Sequence, residues 1–280
     1  MLKKKLKSMA ICGLVGTTRP LLRRLASRLV TDSGIQRLRK PDAKMAWQVA
    51  LPKSGSTWVH KTLSKCLAQR GWKTSRFFPY TEYREQLLDP RSLLLEDCLG
   101  QSTFGMQQHC PFSGYTHKII EQFDIRVILQ VRNIFDCLVS LSDHYDKSPK
   151  TPMAVLTSKQ WGALDPRQRE LFLADIVAPW YIRFWVGWAP MMKNADGRVK
   201  MVTYERLLAD PPGVYTELAQ HCDPSVTRET VEDCLQEPIE NTRKNKGVVG
   251  RGEAMSEVAR ERVRTLASYY PDIDFSPLGL

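Results

Sequence analysis

Ten consecutive residues constrain this 280-residue chain more than any other stretch: Val49-Ala50-Leu51-Pro52-Lys53-Ser54-Gly55-Ser56-Thr57-Trp58. The run from Met45 to Leu51 is mostly apolar and is stopped by Pro52, the pattern of a strand inside a sheet. From Thr57 to about Gln69, Leu63 and Leu67 recur four residues apart, which places them on one helical face. The connection between strand and helix holds a lysine, a glycine and the hydroxyls of Ser54, Ser56 and Thr57. The first N–H groups of a helix lack intrahelical partners and lie at the positive end of its dipole, so an anion is stabilised there. Gly55 permits close approach of the backbone, Lys53 adds a full charge, and the hydroxyls add donors. The stretch therefore predicts a strand–loop–helix phosphate cradle. It is not the nucleotide P-loop, G-x-x-x-x-G-K-[ST]. Here the lysine precedes the glycine, and no earlier glycine stands in the loop.

Charge distribution narrows the function classes. The net charge of +11 invites a nucleic-acid or anionic-membrane reading. Yet residues 1–44 carry 12 Lys/Arg against 2 acidic residues, and the rest of the chain 29 against 28. The basicity thus belongs to a leader, residues 1–44, and the body, residues 45–280, is nearly neutral, which argues against a nucleic-acid-binding body. Within the leader, Leu21, Leu25 and Leu29 share a helical face flanked by Arg23, Arg24 and Arg28. That pattern suits peripheral contact with an anionic membrane surface, an Arg-rich organelle transit peptide, or a solvated helix resting on the body. The seven cysteines are scattered with no C-x-x-C pair, so neither a disulfide framework nor a zinc site is expected. No apolar run is long enough to span a membrane. The expected location is cytoplasmic, with membrane-peripheral attachment or an organelle transit peptide left open.

Along the body, further strands are expected at Thr74–Tyr80, Arg126–Val131 and Val199–Tyr204. Helices are expected at Phe135–Tyr145, Pro179–Met192, Gly213–His221 and Ser256–Ser268, with Thr227–Leu235 a further segment of the tail. Glu82–Leu99 reads as a helix and loop over the site. Trp161–Arg169, polar and interrupted by Pro166, reads as a loop, and Arg243–Glu253 as a basic loop. The aromatic stripe Trp180, Tyr181, Phe184, Trp185 and Trp188 reads as core. Strands alternating with helices predict a single α/β domain with a mostly parallel sheet and ligands at the C-terminal strand ends.

The cradle resembles the 5′-phosphosulfate loop of sulfotransferases that use 3′-phosphoadenosine 5′-phosphosulfate (PAPS), and other pieces follow in that family's order. Arg132-Asn133-Ile134-Phe135-Asp136, with Ser140 eight residues after the arginine, resembles the family's R-N-P-K-D element and its serine. Ile134 and Phe135 stand where the family has proline and lysine. Gln107-Gln108-His109-Cys110-Pro111 resembles the K-T-H-x-P stretch, with His109 23 residues before Arg132 and Gln107 in place of the lysine. His117 is a rival base, 15 residues before Arg132 and without a proline partner. Tyr204-Glu205 resembles the Y-E-D-L stretch. Lys246-Gly247 and Gly250 keep the spacing of the terminal R-K-G-x-x-G loop, with Asn245 replacing its arginine.

The resemblance implies transfer of a sulfuryl group from PAPS to a hydroxyl or amine of a small-molecule or glycan acceptor. It implies His109 as base and Lys53 as the charge on the bridging oxygen. Lys53, Ser54, Gly55, Ser56 and Thr57 would hold the 5′-phosphosulfate. Arg132, Ser140, Lys246, Gly247 and Arg251 would hold the 3′-phosphate, and Trp58 and Tyr204 would flank adenine. No metal is implied. Phe77–Leu99 and Ser148–Arg169, with Tyr80, Tyr83 and Phe112, would line the acceptor pocket. Two other readings share features of the chain. A Mg²⁺-dependent nucleotide phosphotransferase also needs a strand–loop–helix cradle, although it calls for an acidic strand end that this chain lacks. A non-catalytic membrane-surface protein with a degenerate site also accounts for the leader.

Overall fold

A computed structural model of the chain describes residues 43–77, 88, 90, 92–93, 96, 100–147, 156–192, 196–236 and 247–280. Residues 1–42 of the leader, most of Glu82–Leu99, residues 148–155 of Ser148–Arg169, Tyr80, Tyr83 and Lys246 lie outside the described residues. Five parallel strands form one sheet in the order β2-β3-β1-β4-β5. They are β1 Met45–Ala50, β2 Lys73–Ser75, β3 Thr103–Gln108, β4 Ile125–Val131 and β5 Val199–Thr203. The central strand β1 is buried along its whole length, as parallel sheets covered on both faces require. Register places Val49 beside Gln108, Ala50 beside Gln130, and Val131 beside Thr203. The loops after β1, β3, β4 and β5 therefore leave the sheet along one edge.

Two cores follow from the alternation of side chains along each strand. Trp47 and Val49 of β1, Leu51 just past its end, and Val127, Leu129 and Val131 of β4 face one side. They pack there against α3 (Ile134–Lys147), α6 (Ala178–Trp188) and α10 (Glu257–Ser268). Ala46 and Ile128 face the other side, against α1 (Ser56–Ala68), α8 (Pro211–Cys222) and α9 (Arg228–Gln236). The aromatic stripe of α6 is core, with Tyr181, Phe184 and Trp188 fully buried. Cys66, Cys110, Cys137, Cys222 and Cys234 are buried free thiols. Among the described residues no helix is long and apolar enough to cross a membrane.

Several elements differ from the sequence reading, each for a local reason. Trp161–Arg169 is not a loop. It contributes to α4 (Ser158–Ala163) and α5 (Pro166–Phe172). Thr157 with Gln160 and Asp165 with Gln168 form capping boxes, and Pro166 occupies a first-turn position where its missing N–H costs nothing. Trp161 is buried against Tyr145 and Phe172. The helical path then runs on through a π-turn at Leu173–Val177 into α6. Pro179 is the second residue of α6, and the wider turn before it accommodates a ring that would press on the carbonyl four residues earlier. Strand β3 and helix α2 (Gly114–Phe123) had no sequence expectation. Of the expected strand at Thr74–Tyr80, Thr74 and Ser75 belong to β2, residues 76 and 77 do not, and residues 78–80 lie outside the described residues. Tyr204 begins α7 (Tyr204–Ala209) rather than ending β5, because the Thr203 hydroxyl accepts from the Arg206 N–H and caps that helix.

Candidate functional site

The cradle forms as one turn between β1 and α1. Leu51 N–H donates to Gln130 O at 2.9 Å, carrying the sheet ladder one residue past β1. Ser54 closes the turn: its N–H and its hydroxyl reach Leu51 O at 3.3 and 2.6 Å. The Ser54 hydroxyl, expected as a ligand donor, is therefore engaged by backbone and fully buried. Lys53 and Gly55 on either side have φ of 65° and 82°, both left-handed. Gly55 is the N-cap of α1, so no side chain caps the helix, and no acidic residue stands in its first turn. These are the conditions that leave first-turn N–H groups to an external anion.

Gly55 is required twice over. A Cβ there would lie 2.7 Å from Tyr204 Cε2, and the φ is one that L side chains rarely adopt. Gly55→Ala is expected to destabilise the fold by about 2 kcal/mol through strain and contact together. It should also weaken binding of an anion at α1, because the turn must shift to relieve the contact. Chemical denaturation checks the first effect, and an unchanged midpoint would contradict it.

His109 follows β3, whose neighbour in the sheet is β1, and its Nδ1 lies 2.7 Å from Ala50 O. A carbonyl only accepts, so Nδ1 carries the proton, and in the neutral ring Nε2 is the basic nitrogen. The following residues are anchored as well. Trp188 Nε1 donates to Cys110 O at 2.9 Å, and Phe112 packs edge-on against Trp188 with ring centroids 5.0 Å apart. His117, the rival base, instead lies on α2 beside Glu121 at 3.4 Å. Gln107 donates to Thr57 Oγ1 at 3.2 Å, so β3 touches the first turn of α1 directly. Tyr181 reaches the cradle from α6 and donates to Pro52 O at 3.1 Å. Burial pushes the Tyr181 hydroxyl well above its ordinary range, which keeps it a donor.

Arg132 is the hub of the other half. It is 5% exposed, donating from Nη1 to Lys53 O at 3.1 Å and from Nη2 to Asp136 Oδ2 and Val248 O at 3.0 and 2.8 Å. Its guanidinium lies 4.3 Å from the centre of the Tyr204 ring, while its Nε is buried with no hydrogen-bond partner among the described residues. Tyr204 is thus buried between Arg132 and Gly55, and burial raises its hydroxyl pKa against the opposing pull of Arg132. Ser140 lies buried on α3, two turns beyond Arg132. Trp58 is half-buried and edge-on to Tyr215 at 5.7 Å.

The glycine loop docks on the start of α3. Asp136 accepts from Gly250 N–H at 3.1 Å and Gly252 N–H at 2.7 Å, and Arg251 pairs with Asp143 at 2.7 Å. A Cβ on Gly252 would stand 2.3 Å from Phe135 Cβ, so glycine is needed for this approach. Gly247 is half-buried at the near end of the loop. Asn133 caps α3 through Phe135 N–H and Asp136 N–H, and its own N–H donates to Glu205 at 3.1 Å.

Cradle, His109, Arg132 and the glycine loop therefore converge at the C-terminal edge of the sheet. Asp136, Gln48, Gln130 and Tyr181 take part without having been expected. Asp136 had a signal in its i,i+4 spacing from Arg132. The glutamines had one too, each being a lone amide inside an apolar strand. Among the described residues no His, Cys, Asp and Glu cluster is arranged to hold a metal.

Comparison with known proteins points one way. The fold is similar to that of mouse sulfotransferase SULT7A1 complexed with PAP, with TM-score 0.58 and 16% identity over 84% of this chain and 86% of that one. It is also similar to retinol dehydratase in complex with androsterone and inactive cofactor PAP, with TM-score 0.50 and 16% identity over 80% and 79% of the two chains. No curated protein sequence matches significantly. The family profile of the sulfotransferase domain matches residues 44–267, a span that holds the cradle, His109, Arg132 and the glycine loop, and the chain accordingly belongs to the sulfotransferase family.

Proposed function

We propose that this protein transfers a sulfuryl group from PAPS to a hydroxyl or amine of a small-molecule acceptor, with His109 as the base. The observation that carries the reading is the 2.7 Å contact from His109 Nδ1 to Ala50 O, which holds the ring at the end of β1 next to the cradle and makes Nε2 its basic nitrogen. The residues fit such a donor. The cradle offers uncapped N–H groups and a lysine for the 5′ end, and the buried Arg132 Nε is a donor awaiting an acceptor. Bound PAPS supplies the activated sulfuryl group, whose S–O bond to the 5′-phosphate breaks as the acceptor's oxygen or nitrogen bonds to sulfur.

In this reading His109 Nε2 takes the acceptor's proton while Nδ1–H stays on Ala50 O. The Lys53 charge and the N–H groups of α1 stabilise the charge that grows on the bridging oxygen. Gln107 is a neutral amide where the family has lysine, so that stabilisation rests on Lys53. Arg132 with Ser140, and Arg251 from the glycine loop, hold the 3′-phosphate. Trp58 and Tyr204 flank adenine. The aromatic anchoring of the segment after His109, with Phe112 on Trp188, suits an acceptor with an apolar body. Retinol dehydratase, whose fold is similar, has been crystallised with androsterone.

Isothermal calorimetry with the product 3′,5′-adenosine bisphosphate (PAP), without added Mg²⁺, tests the reading. Wild type should bind at micromolar Kd, and Lys53→Ala should weaken binding by about tenfold or more, or 1.4 kcal/mol. A folded wild type that binds no PAP would overturn it. Turnover abolished by a chelator would favour phosphotransfer instead.

A further inference from the structure

The two adjacent strands β1 and β4 beneath the cradle each contain a glutamine where a sheet core calls for an apolar side chain. Gln48 on β1 and Gln130 on β4 are both fully buried, on the face that packs against α1. Gln48 Nε2 donates to Gln130 Oε1 at 2.8 Å and to Ser56 O at 3.1 Å. Gln130 Nε2 donates to Ser54 O at 2.5 Å. These partners set the orientation of both amides, since a carbonyl can only accept and the Gln130 oxygen must face the Gln48 nitrogen. Gln48 Oε1 has no hydrogen-bond partner among the described residues. An orphaned buried acceptor is unfavourable, and an apolar pair of similar volume would avoid it.

The two carbonyls the glutamines hold are those of the peptides on either side of the Gly55–Ser56 bond. Among the described residues no peptide bond is cis, and in a trans peptide C=O and N–H point in opposite directions. Drawing Ser54 O and Ser56 O down toward the sheet therefore turns the Gly55 and Thr57 N–H groups away from it, toward the open end of the cradle. The same bond to Ser54 O restrains the residue between the left-handed Lys53 and Gly55, a backbone conformation that persists only when its surroundings enforce it.

We infer that Gln48 and Gln130 are positioning residues for the 5′-phosphosulfate: a buried amide clasp that preorganises the cradle's N–H groups for an anion. The inference rests on the proposed PAPS site and adds that cradle geometry is set from within the sheet. The clasp touches no ligand. It acts through the two peptides, so its removal should affect the 5′ end of the nucleotide and spare the 3′ end.

The test compares wild type with Gln48→Met, Gln130→Met and the double variant. Methionine matches glutamine in length, and replacing both partners of a buried hydrogen bond by apolar groups is often nearly neutral for stability. Calorimetry is run with PAP and with adenosine 3′-monophosphate, which lacks the 5′-phosphate. The double variant should bind PAP at least tenfold more weakly and adenosine 3′-monophosphate with unchanged affinity. In turnover, KM for PAPS should rise while KM for the acceptor stays constant. Equal PAP affinity in wild type and in the folded double variant would overturn the clasp, as would parallel losses for both nucleotides. Should the double variant not fold, the single variants carry the same comparison, each with at least a threefold loss confined to PAP. A wild type that binds neither nucleotide would instead remove the PAPS reading itself.

Discussion

His109→Ala is expected to lower turnover by about a thousandfold, within the range that positioned general bases contribute, while PAP affinity stays within about twofold of wild type. The separation of the two effects follows from geometry. The imidazole is held by Ala50 O at 2.7 Å, at the end of β1 and next to the cradle, whereas the contacts assigned to nucleotide come from the loop, α1 and Arg132. Deleting the ring removes the group that accepts the proton and leaves those donors in place. His117→Ala serves as the companion, since that ring lies on α2 beside Glu121 and should have no effect on turnover. Single-turnover kinetics with saturating PAPS, with PAP calorimetry on the same preparations, reads both quantities. Retention of more than a tenth of wild-type turnover by His109→Ala would remove His109 as the base. Loss in His117→Ala instead would transfer the role.

Arg132→Ala should lose PAP binding by about a hundredfold or more and destabilise the protein by about 3 kcal/mol. Both effects have one origin. The guanidinium bridges cradle, glycine loop and α3, through Lys53 O, Val248 O and Asp136, with the ion pair almost wholly out of water. Truncation leaves the Asp136 carboxylate buried without its cation, and that negative charge then faces the site assigned to the 3′-phosphate. Adding Asp136→Asn removes the stranded charge and keeps an amide oxygen for the Gly252 N–H. The double variant should therefore recover much of the stability lost in Arg132→Ala and none of the PAP affinity. Urea denaturation and PAP calorimetry give the two readings. Recovery of binding along with stability would mean that Arg132 supports the fold and not the phosphate. Arg132→Lys should rescue neither fully, because an ammonium cannot serve three acceptors in the planar spread of the guanidinium.

The cradle was legible in the sequence because all its parts are local. An apolar run, a proline, a lysine, a glycine, three hydroxyl residues and a helix start lie close together in the chain, and their chemistry needs no distant partner to be recognised. Arg132 and Ser140 were read through the family resemblance, from a motif of nine consecutive residues that runs from just past β4 into the second turn of α3. Strand β3 was not legible. Thr103-Phe104-Gly105-Met106-Gln107-Gln108 has neither an apolar run nor a clean alternation. It is a strand because β1 and β2 pair with its two edges, and Gly105 is there because the Phe77 ring would lie 2.5 Å from a Cβ. The helices α4 and α5 were hidden by Pro166 and by polar composition. Their capping boxes are sequence signals that outrank both once recognised.

The division between sequence and structure follows contact distance along the chain. By itself the sequence determined the α/β alternation and the strand–loop–helix turn at Pro52–Thr57, because each is carried by neighbouring residues and by elements whose periodicity is local. His109 as candidate base and Arg132 as candidate phosphate ligand were instead read through the resemblance of short motifs to the sulfotransferase family. Only the tertiary structure decided how these are held. It brought Asp136 to the N–H groups of Gly250 and Gly252, set Gln130 of β4 beneath the loop after β1, and buried Tyr204 between Arg132 and Gly55. Those contacts join residues far apart in sequence, and they depend on strand order and register. Both are set by how whole sheet faces bury their side chains, which no single stretch of the chain can specify.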